Sequence, residues 1–228
     1  TAGQEENAGV AIPPPAAGYG RALVLNQAII AAEEEYIAIL DGHVVDLDPA
    51  WLDDLVSWCA GNPPGIACGR VLYDQDDGPS FTLPDLDNTS TAYYAAFLTR
   101  ASRHFNGVHC LQRLSLCGWE SCLLPRSLYH ELGGFDWQNF PDQLTMADFS
   151  LRVTEAGYRV LYTPGSLVEY PATEAFPTAE SDVSAAEKQA FQQRWRAWLR
   201  QFDRFYNRNV LDERGIDRER FAAWLEGW

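Results

Sequence analysis

An aspartate and a histidine separated by one glycine follow a short apolar segment in the first quarter of the chain. The segment is YIAIL at 36–40, and Asp41-Gly42-His43 come directly after it. A carboxylate oxygen and a neutral imidazole nitrogen can bind one divalent cation together, with diphosphate oxygens and water as its other ligands. The same tripeptide also fits a strand that ends in a turn, with His43 facing solvent. The secondary structure predicted around the motif therefore has to distinguish a metal site from a turn.

The spacing of apolar residues predicts a helix and a strand before the motif and a helix after it. Residues 20–36 carry apolar side chains at helical spacing, and 36–40 is the nearly continuous apolar run of a buried strand in a parallel sheet. Asp48 is predicted as the N-cap of the next helix and Pro49 as its first residue. The motif is thus placed at the carboxyl end of a strand, where ligands of open α/β folds gather.

Strands and helices continue to alternate as far as residue 170, which predicts an α/β fold. A surface loop is expected at 74–90, and a short helix at 91–106. We expect a three-layer domain with helices on both faces of a mixed, mainly parallel sheet. Further helices are predicted at 125–132 and 145–157, and strand-like segments at 158–164 and 166–171. The predicted sheet contains 36–40, 66–72, 121–124 and 159–162.

The two ends of the chain differ from this middle part. Residues 1–19 contain three consecutive prolines and predict an extended lead-in. Residues 20–183 form the predicted α/β domain. Residues 184–228 are predicted as a helical C-terminal extension packed on that domain by two apolar faces, one with Phe191, Trp195, Trp198, Leu199 and Phe202, the other with Phe221, Trp224 and Leu225.

The overall composition excludes several classes of partner. With 17 basic and 32 acidic residues the formal charge is −15, which repels nucleic acid and anionic lipid at long range. No apolar run approaches the roughly 20 residues that span a bilayer. The five cysteines are odd in number and contain no C-x-x-C pair, which favours a reducing compartment and predicts a cytoplasmic protein.

Beyond these physical arguments, the segment YIAILDGHVVDLDPAWLDDLV (36–56) resembles the metal-binding region of GT-A glycosyltransferases. Most members of glycosyltransferase family 2 carry Asp-x-Asp there, and the Asp-x-His form is similar to the polypeptide N-acetylgalactosaminyltransferases. The preceding helix at 20–36 resembles that family's Arg-Asn helix, with Asn26 as the asparagine. Three later segments also resemble family 2 in order: CLLPRSLYHELGGFD (122–136), ADFSLRVTEAGYRVLYTP (147–164) and FQQRWRAWLRQFDRFYNRNVL (191–211).

The resemblance implies a GT-A-like fold and transfer of a sugar from a nucleoside-diphosphate sugar, UDP-sugar most of all, to an acceptor hydroxyl. It implies Mn²⁺ or Mg²⁺ bound by Asp41 and His43. Asp148 is implied as the catalytic carboxylate that removes the acceptor's proton. The turn with Gly133, Gly134 and Asp136 is implied beside the sugar, and Trp119 near the acceptor side is a candidate for stacking on a sugar ring.

Three departures from the family pattern leave an alternative open. The usual Glu-Asp pair is Ala147-Asp148, and the histidine that completes many metal sites is replaced by Val168-Glu169-Tyr170, so Glu169 or Tyr170 is a possible third metal-site position. The strands that grip the nucleotide in the family do not precede Gly20, so the domain is expected to lack its first βαβ part. The alternative is a degenerate, non-catalytic GT-A-like binding or interaction module.

Overall fold

The protein is described by a computed structural model at residues 20–73, 76–77, 110–170 and 183–199. The predicted lead-in at 1–19, the predicted helix at 91–106 and the second apolar face at 217–228 lie outside these residues. None of the helices in the described ranges is long and apolar enough to cross a membrane.

The described residues form six helices and seven strands, in the alternating order that the sequence predicts. The helices are α1 (Arg21–Ala31), α2 (Trp51–Cys59), α3 (Arg126–Glu131), α4 (Thr145–Glu155), α5 (Ala185–Arg194) and α6 (Arg196–Leu199). The strands are β1 (Tyr36–Leu40), β2 (Asp46–Leu47), β3 (Gly65–Tyr73), β4 (Asp76–Asp77), β5 (Gln112–Arg113), β6 (Ser121–Pro125) and β7 (Arg159–Tyr170).

All strands belong to one mixed sheet with the order β1-β6-β3-β7-β2, and β4 and β5 are added on β3 and β7. The four predicted strands are present, but the expectation of mainly parallel pairing is wrong. β6 runs antiparallel to both β1 and β3, so β3 with β7 is the one parallel pair among the described strands. β1, β3 and β7 still point the same way, and their carboxyl ends therefore share one edge of the sheet.

Helices cover both faces of this sheet, as predicted for a three-layer domain. Along β3, Ile66 and Cys68 face a large core with α1, α3 and α4, whereas Ala67 faces α2 on the opposite side. Side chains alternate between the two faces of a strand, so one β3 segment supplies both cores. The edge that carries Asp41 is thus fixed by packing on each side.

Strand β1 is less buried than its apolar sequence predicts. It lies at one end of the described sheet, and Ala38 and Leu40 are exposed while Ile39 is buried. An end strand has one neighbour instead of two, which explains why an almost continuous apolar run retains exposed positions. The prediction of a strand buried on all sides is wrong for the described residues.

Strand β7 corrects a predicted boundary at Pro164. Two strands were expected there, but β7 runs from Arg159 through Pro164 to Tyr170. Between paired positions, β3 advances from Cys68 to Arg70 while β7 advances from Tyr162 to Leu167. The extra residues of β7, which include Pro164, therefore have no partner on β3, and a proline without an N–H is tolerated at such an irregularity.

Helix α2 begins two residues later than predicted. Its first residue is Trp51, and Pro49 lies before it. The N-cap is Ala50, without a side-chain cap, so the prediction of Asp48 as N-cap is wrong. The Asp48 Oδ1 instead accepts a hydrogen bond from the Ala50 N–H at 2.8 Å, in the turn before the helix. The predicted helix is present, and its start is displaced by two residues, as is common at helix ends.

The C-terminal helices pack on α4, as the apolar face at 184–202 predicts. Phe191 and Trp195 are buried with Phe140, Leu144 and Leu151, and Trp198 and Leu199 pack partly buried against them. Helix α4 therefore lies between two cores, and every residue from Thr145 to Leu151 is buried. Three of these, Thr145, Asp148 and Ser150, are polar, and the burial of Asp148 has direct consequences for the predicted site.

Candidate metal centre

Asp41 and His43 meet at the carboxyl end of β1. The Asp41 Oδ1 accepts hydrogen bonds from the His43 backbone N–H at 2.8 Å and lies 2.7 Å from His43 Nδ1. The Asp41 side chain is 23% exposed and that of His43 is 62% exposed. The structure thus brings the predicted pair together, on the solvent side of the sheet edge.

A short strand positions the loop that follows this pair. β2 pairs with β7 in the register Asp46 to Glu169, and the Val45 N–H donates to the Glu169 carbonyl at 2.8 Å. Glu169 is exposed and lies beside this loop, whereas the side chain of Tyr170 lies outside the described part of the chain. Within that part, no group of three or more His, Cys, Asp or Glu side chains is arranged to hold a metal ion.

The Asp41-His43 pair fits a divalent cation that takes only part of its ligands from the protein. Oxygen and imidazole donors suit Mn²⁺ or Mg²⁺ when diphosphate oxygens and water supply the remaining positions. Of the two predicted third positions, Glu169 is not brought into a three-residue group with them, and Tyr170 stays a prediction. The donor set therefore agrees with a site completed by a bound nucleotide.

Trp119 and Glu120 lie next to Asp41, on the neighbouring strand of the sheet. The Asp41 N–H donates to the Glu120 carbonyl at 3.1 Å, which continues the pairing of Leu40 with Ser121. Trp119 is 6% exposed, and its ring contacts Phe135 edge-on at 5.8 Å between centroids. The Arg21 guanidinium lies over the same ring, 5.4 Å from its centroid.

The carboxyl group of Glu120 is strongly affected by its surroundings. Burial raises the pKa of Glu120 to about 7, hydrogen bonds from the Glu120 and Trp119 amides act against this, and the charge of Asp41 adds to it while that of Arg21 opposes it. The sequence analysis gave Glu120 no role. The signal that could have placed it near Asp41 is its position two residues before Cys122, which pairs with Ile39 of β1.

Asp148 is in a very different environment. It has no exposed surface, and its Oδ2 accepts from Arg152 Nε at 2.8 Å. Its Oδ1 accepts from Arg194 Nη1 at 2.9 Å and from Trp195 Nε1 at 3.0 Å. In this arrangement an acceptor hydroxyl cannot reach the carboxylate, so the predicted role as a catalytic base would require Arg194 or Trp195 to leave.

Gly133, Gly134 and Asp136 form a turn whose polar groups contact other parts of the protein. Both glycines have positive φ, at 77° and 75°, which explains the residue type. Arg152 donates to the Gly134 carbonyl at 2.9 Å. Asp136 accepts from Arg194 Nη2 at 2.6 Å and from the Asn139 side chain at 2.8 Å. The turn is thus joined to α4 and α5, and its predicted contact with a sugar stays a prediction.

Burial alone would raise the pKa of Asp136, but the hydrogen bonds from Asn139 and Arg194 outweigh it and lower the pKa. The charged form of Asp136 is therefore stabilised in the folded chain.

Asn26 is the residue that connects this turn to α1. Its Nδ2 donates to the Phe135 carbonyl at 2.8 Å, and its Oδ1 accepts from the Phe135 N–H at 3.0 Å and from the Tyr129 hydroxyl. The family resemblance pointed to Asn26 without giving it a function. The Asn26 side-chain amide both donates to and accepts from the Phe135 backbone, and these buried hydrogen bonds join α1 to α3 and the turn. Asn26 therefore has a structural role.

Comparison with solved structures identifies the fold. GalNAc-T7, in a crystal structure with UDP, GalNAc and Mn²⁺, matches with a TM-score of 0.55 and 14% identity over 76% of this chain and 34% of that chain. The mannosyltransferase PcManGT from Pyrobaculum calidifontis, in complex with GDP-Man and Mn²⁺, matches with a TM-score of 0.46 and 14% identity over 79% of this chain and 51% of that chain. No family model matches the chain, and no curated protein is a significant match.

The likeness to GalNAc-T7 confirms the predicted fold class, an α/β domain with the GT-A architecture. The chain spans about a third of the length of that protein, as the 34% coverage states. At 14% identity the match shows the fold and leaves the activity to be argued from the residues at the edge of the sheet.

Proposed function

We propose that the chain is part of a metal-dependent glycosyltransferase that uses a nucleoside-diphosphate sugar. The observation that carries the proposal is the Asp41-His43 pair, joined at 2.7 Å and open to solvent at the end of β1 in a GT-A-like domain. The GalNAc-T7 structure contains UDP, GalNAc and Mn²⁺, which supports the choice of ligand class.

In the proposed reaction a saccharide or other hydroxyl acceptor attacks the sugar carbon that bears the diphosphate. The new bond forms between the acceptor oxygen and that carbon, the bond from carbon to diphosphate oxygen breaks, and the hydroxyl proton of the acceptor passes to solvent. A divalent ion, Mn²⁺ or Mg²⁺, held by Asp41 and His43 would offset the negative charge that develops on the departing diphosphate. Asp148 holds Arg194 and Trp195 in place and thereby positions the turn with Asp136.

The fully occupied carboxylate of Asp148 favours a second candidate, a GT-A-like module that binds a ligand without turnover. Asp148 already accepts three hydrogen bonds, and the other carboxylate of the family's pair is replaced by Ala147. Such a module would retain nucleotide-sugar binding but would lack a base for the acceptor hydroxyl.

Release of UDP or GDP from UDP-GalNAc, UDP-glucose and GDP-mannose with Mn²⁺ tests the proposal. Hydrolysis to water is followed first, because it needs no knowledge of the acceptor, and a panel of saccharides is then added. We expect metal-dependent release that Asp41→Asn abolishes and Asp53→Asn, an exposed aspartate on α2, leaves unchanged. Binding without release would support the non-catalytic module, and equal release by wild type and Asp41→Asn would contradict both uses of the site.

A further inference from the structure

Trp119 and Glu120 each carry a buried polar atom that has no hydrogen-bond partner among the described residues. The atoms are the indole Nε1 of Trp119 and the Oε2 of Glu120. A polar atom that is kept from water without a partner lowers the stability of the folded chain, so most buried polar groups are paired. With the Oγ of Ser121, which is also buried and unpaired among the described residues, there are three such atoms on consecutive residues, and they require an explanation.

The position of the pair points to a ligand at the edge of the sheet. The Glu120 carbonyl accepts from the Asp41 N–H at 3.1 Å, so both residues lie directly beside the candidate metal centre. Buried unpaired groups inside the core would favour internal water, but these two directly precede β6, at the edge of the sheet where β1 ends. Ligands of open α/β sheets bind at that edge.

The chemistry of the two atoms identifies the class of ligand. The indole N–H is a donor only, and a carboxylate oxygen is an acceptor. A hydroxyl group both donates and accepts, and neighbouring hydroxyls on a sugar ring can satisfy a donor and an acceptor side by side. A diphosphate offers acceptors alone, so it would satisfy Trp119 but could pair with Glu120 only when that carboxyl is protonated, whereas a sugar hydroxyl can pair with either form.

The contacts of Trp119 decide how it can bind such a ligand. Its ring packs against Phe135 on one side and under the Arg21 guanidinium on another. Stacking of a sugar on the ring, as the sequence suggested, would have to displace these contacts. A hydrogen bond to the unpaired N–H at the ring's edge leaves the packing of the ring on Phe135 in place. The Arg21 side chain, which is 39% exposed, has to shift to admit a ligand.

We propose that Trp119 Nε1 and Glu120 Oε2 form a subsite for the hydroxyl groups of a sugar next to the Asp41-His43 pair. The inference rests on the proposed function for the source of the sugar, which is either the sugar of the nucleotide donor or a free saccharide acceptor. Trp119 donates to one sugar oxygen, and Glu120 accepts from one sugar hydroxyl.

Titration of the full chain with Mn²⁺ and matched ligands tests this subsite. The probes are UDP-GalNAc and GDP-mannose, the sugar-free UDP and GDP, and free GalNAc and mannose. Glu120→Gln removes the charge at nearly constant volume, and Trp119→Phe removes the indole N–H and leaves a smaller ring, which Trp58→Phe controls for. Trp58→Phe on α2 and the exposed Glu155→Gln are matched controls. Each variant should raise the Kd of the nucleotide sugar about tenfold and leave the Kd of UDP and GDP within about twofold.

A spectroscopic measurement locates the contact directly. The indole N–H signal that Trp119→Phe removes from the nitrogen-correlated NMR spectrum belongs to Trp119. That signal should shift when UDP-GalNAc or GDP-mannose is added and should stay in place with the sugar-free nucleotide. A signal that responds equally to both would contradict the subsite.

The outcomes separate this inference from the proposed function. If wild type binds nucleotide sugars and the two variants bind them equally well, or lose UDP and GDP to the same extent, the subsite is wrong and the function stands. If wild type binds no nucleotide but binds a free sugar that both variants lose, the subsite stands and the nucleotide-sugar function falls. If wild type binds none of the probes, both are wrong.

Stability gives a test that needs no ligand. Trp119→Phe removes no internal hydrogen bond in the described residues, so it should lower the urea midpoint only through the smaller ring left in a buried site, by about 0.5 M. A loss of more than about 1.5 M, beyond what the lost ring volume explains, would reveal an internal hydrogen-bond partner and would overturn the inference.

Discussion

Two aspartates that the sequence marked for chemistry, Asp41 and Asp148, have opposite surroundings. Asp41 is partly exposed at the end of a strand, and among the described residues its side-chain hydrogen bonds go to His43, two positions away. Asp148 has no exposed surface and accepts from Arg152 on α4, from Arg194 at the end of α5 and from Trp195 just after it. The first carboxylate is open to a ligand, and the second is already fully bound within the protein.

The difference shows how a residue type can serve binding in one place and folding in another. A carboxylate that can still take up a cation has to keep its lone pairs available, so it contributes little to stability. A buried carboxylate is tolerated only when its charge is compensated, which makes it important for the fold. The comparison therefore predicts opposite effects of substitution at the two sites.

The largest loss of stability is expected for Asp148→Ala. This change leaves Arg152, Arg194 and the Trp195 N–H without their shared acceptor, and should lower the free energy of unfolding by about 3 kcal/mol. Urea unfolding followed by tryptophan fluorescence measures the effect, and Asp148→Asn should fall between Ala and wild type. A loss of less than about 1 kcal/mol would mean that the network does not hold α5 on α4.

A smaller loss is expected for Arg194→Met, which removes the connection between Asp148 and Asp136. The variant keeps the apolar stem over Phe140 but loses two charged hydrogen bonds, and should cost about 2 kcal/mol. Arg196→Met, an exposed neighbour on α6, is the matched control with an expected change within about 0.5 kcal/mol. Equal effects of the two substitutions in urea unfolding would remove Arg194 from this account.

Acid should weaken the same region through Asp136. The pKa of Asp136 is lower in the folded chain than in the unfolded chain, where it is about 3.9. Asp136 therefore stabilises the fold at pH values above the unfolded-chain pKa, and this stabilisation is lost as the pH falls toward the folded-chain pKa. Unfolding midpoints between pH 5 and 2 should therefore fall less steeply for Asp136→Asn than for wild type. The exposed Asp53→Asn serves as control, and identical slopes for all three proteins would contradict the assignment.

The smallest effect on stability is expected at the candidate metal centre itself. Asp41→Asn and His43→Ala should each change the free energy of unfolding by no more than about 0.5 kcal/mol, because both side chains are partly exposed. The same urea experiment measures them. A loss as large as that of Asp148→Ala would show that Asp41 is a structural residue.

Much of the fold could be predicted because the signals are local. Apolar spacing located the helices α1 and α4, and glycines marked the ends of α3 and α4. The pairing of β6 was not predictable, since antiparallel insertion between β1 and β3 depends on contacts far apart in sequence. Pro164 suggested a strand boundary that the sheet avoids by an irregular register, which only the partner strand β3 determines.

The candidate site could be predicted only in part. Asp41 and His43 are separated by one residue, and one local turn brings them together. The environment of Asp148 depends on Arg194 and Trp195, which are more than 40 positions away, so a motif could not distinguish a base from a buried ion-pair partner. Glu120 was passed over because its proximity to Asp41 arises from strand pairing rather than from spacing.

Binding of Mn²⁺ by the Asp41-His43 pair tests the central claim most directly. Electron paramagnetic resonance measures free Mn²⁺ in the presence of the full chain, with and without UDP or GDP. The account predicts nucleotide-assisted binding that Asp41→Asn abolishes, His43→Ala weakens and His130→Ala, an exposed histidine on α3, leaves unchanged. Equal Mn²⁺ binding by wild type and all three variants would contradict the metal assignment and would leave Asp41 as a turn residue.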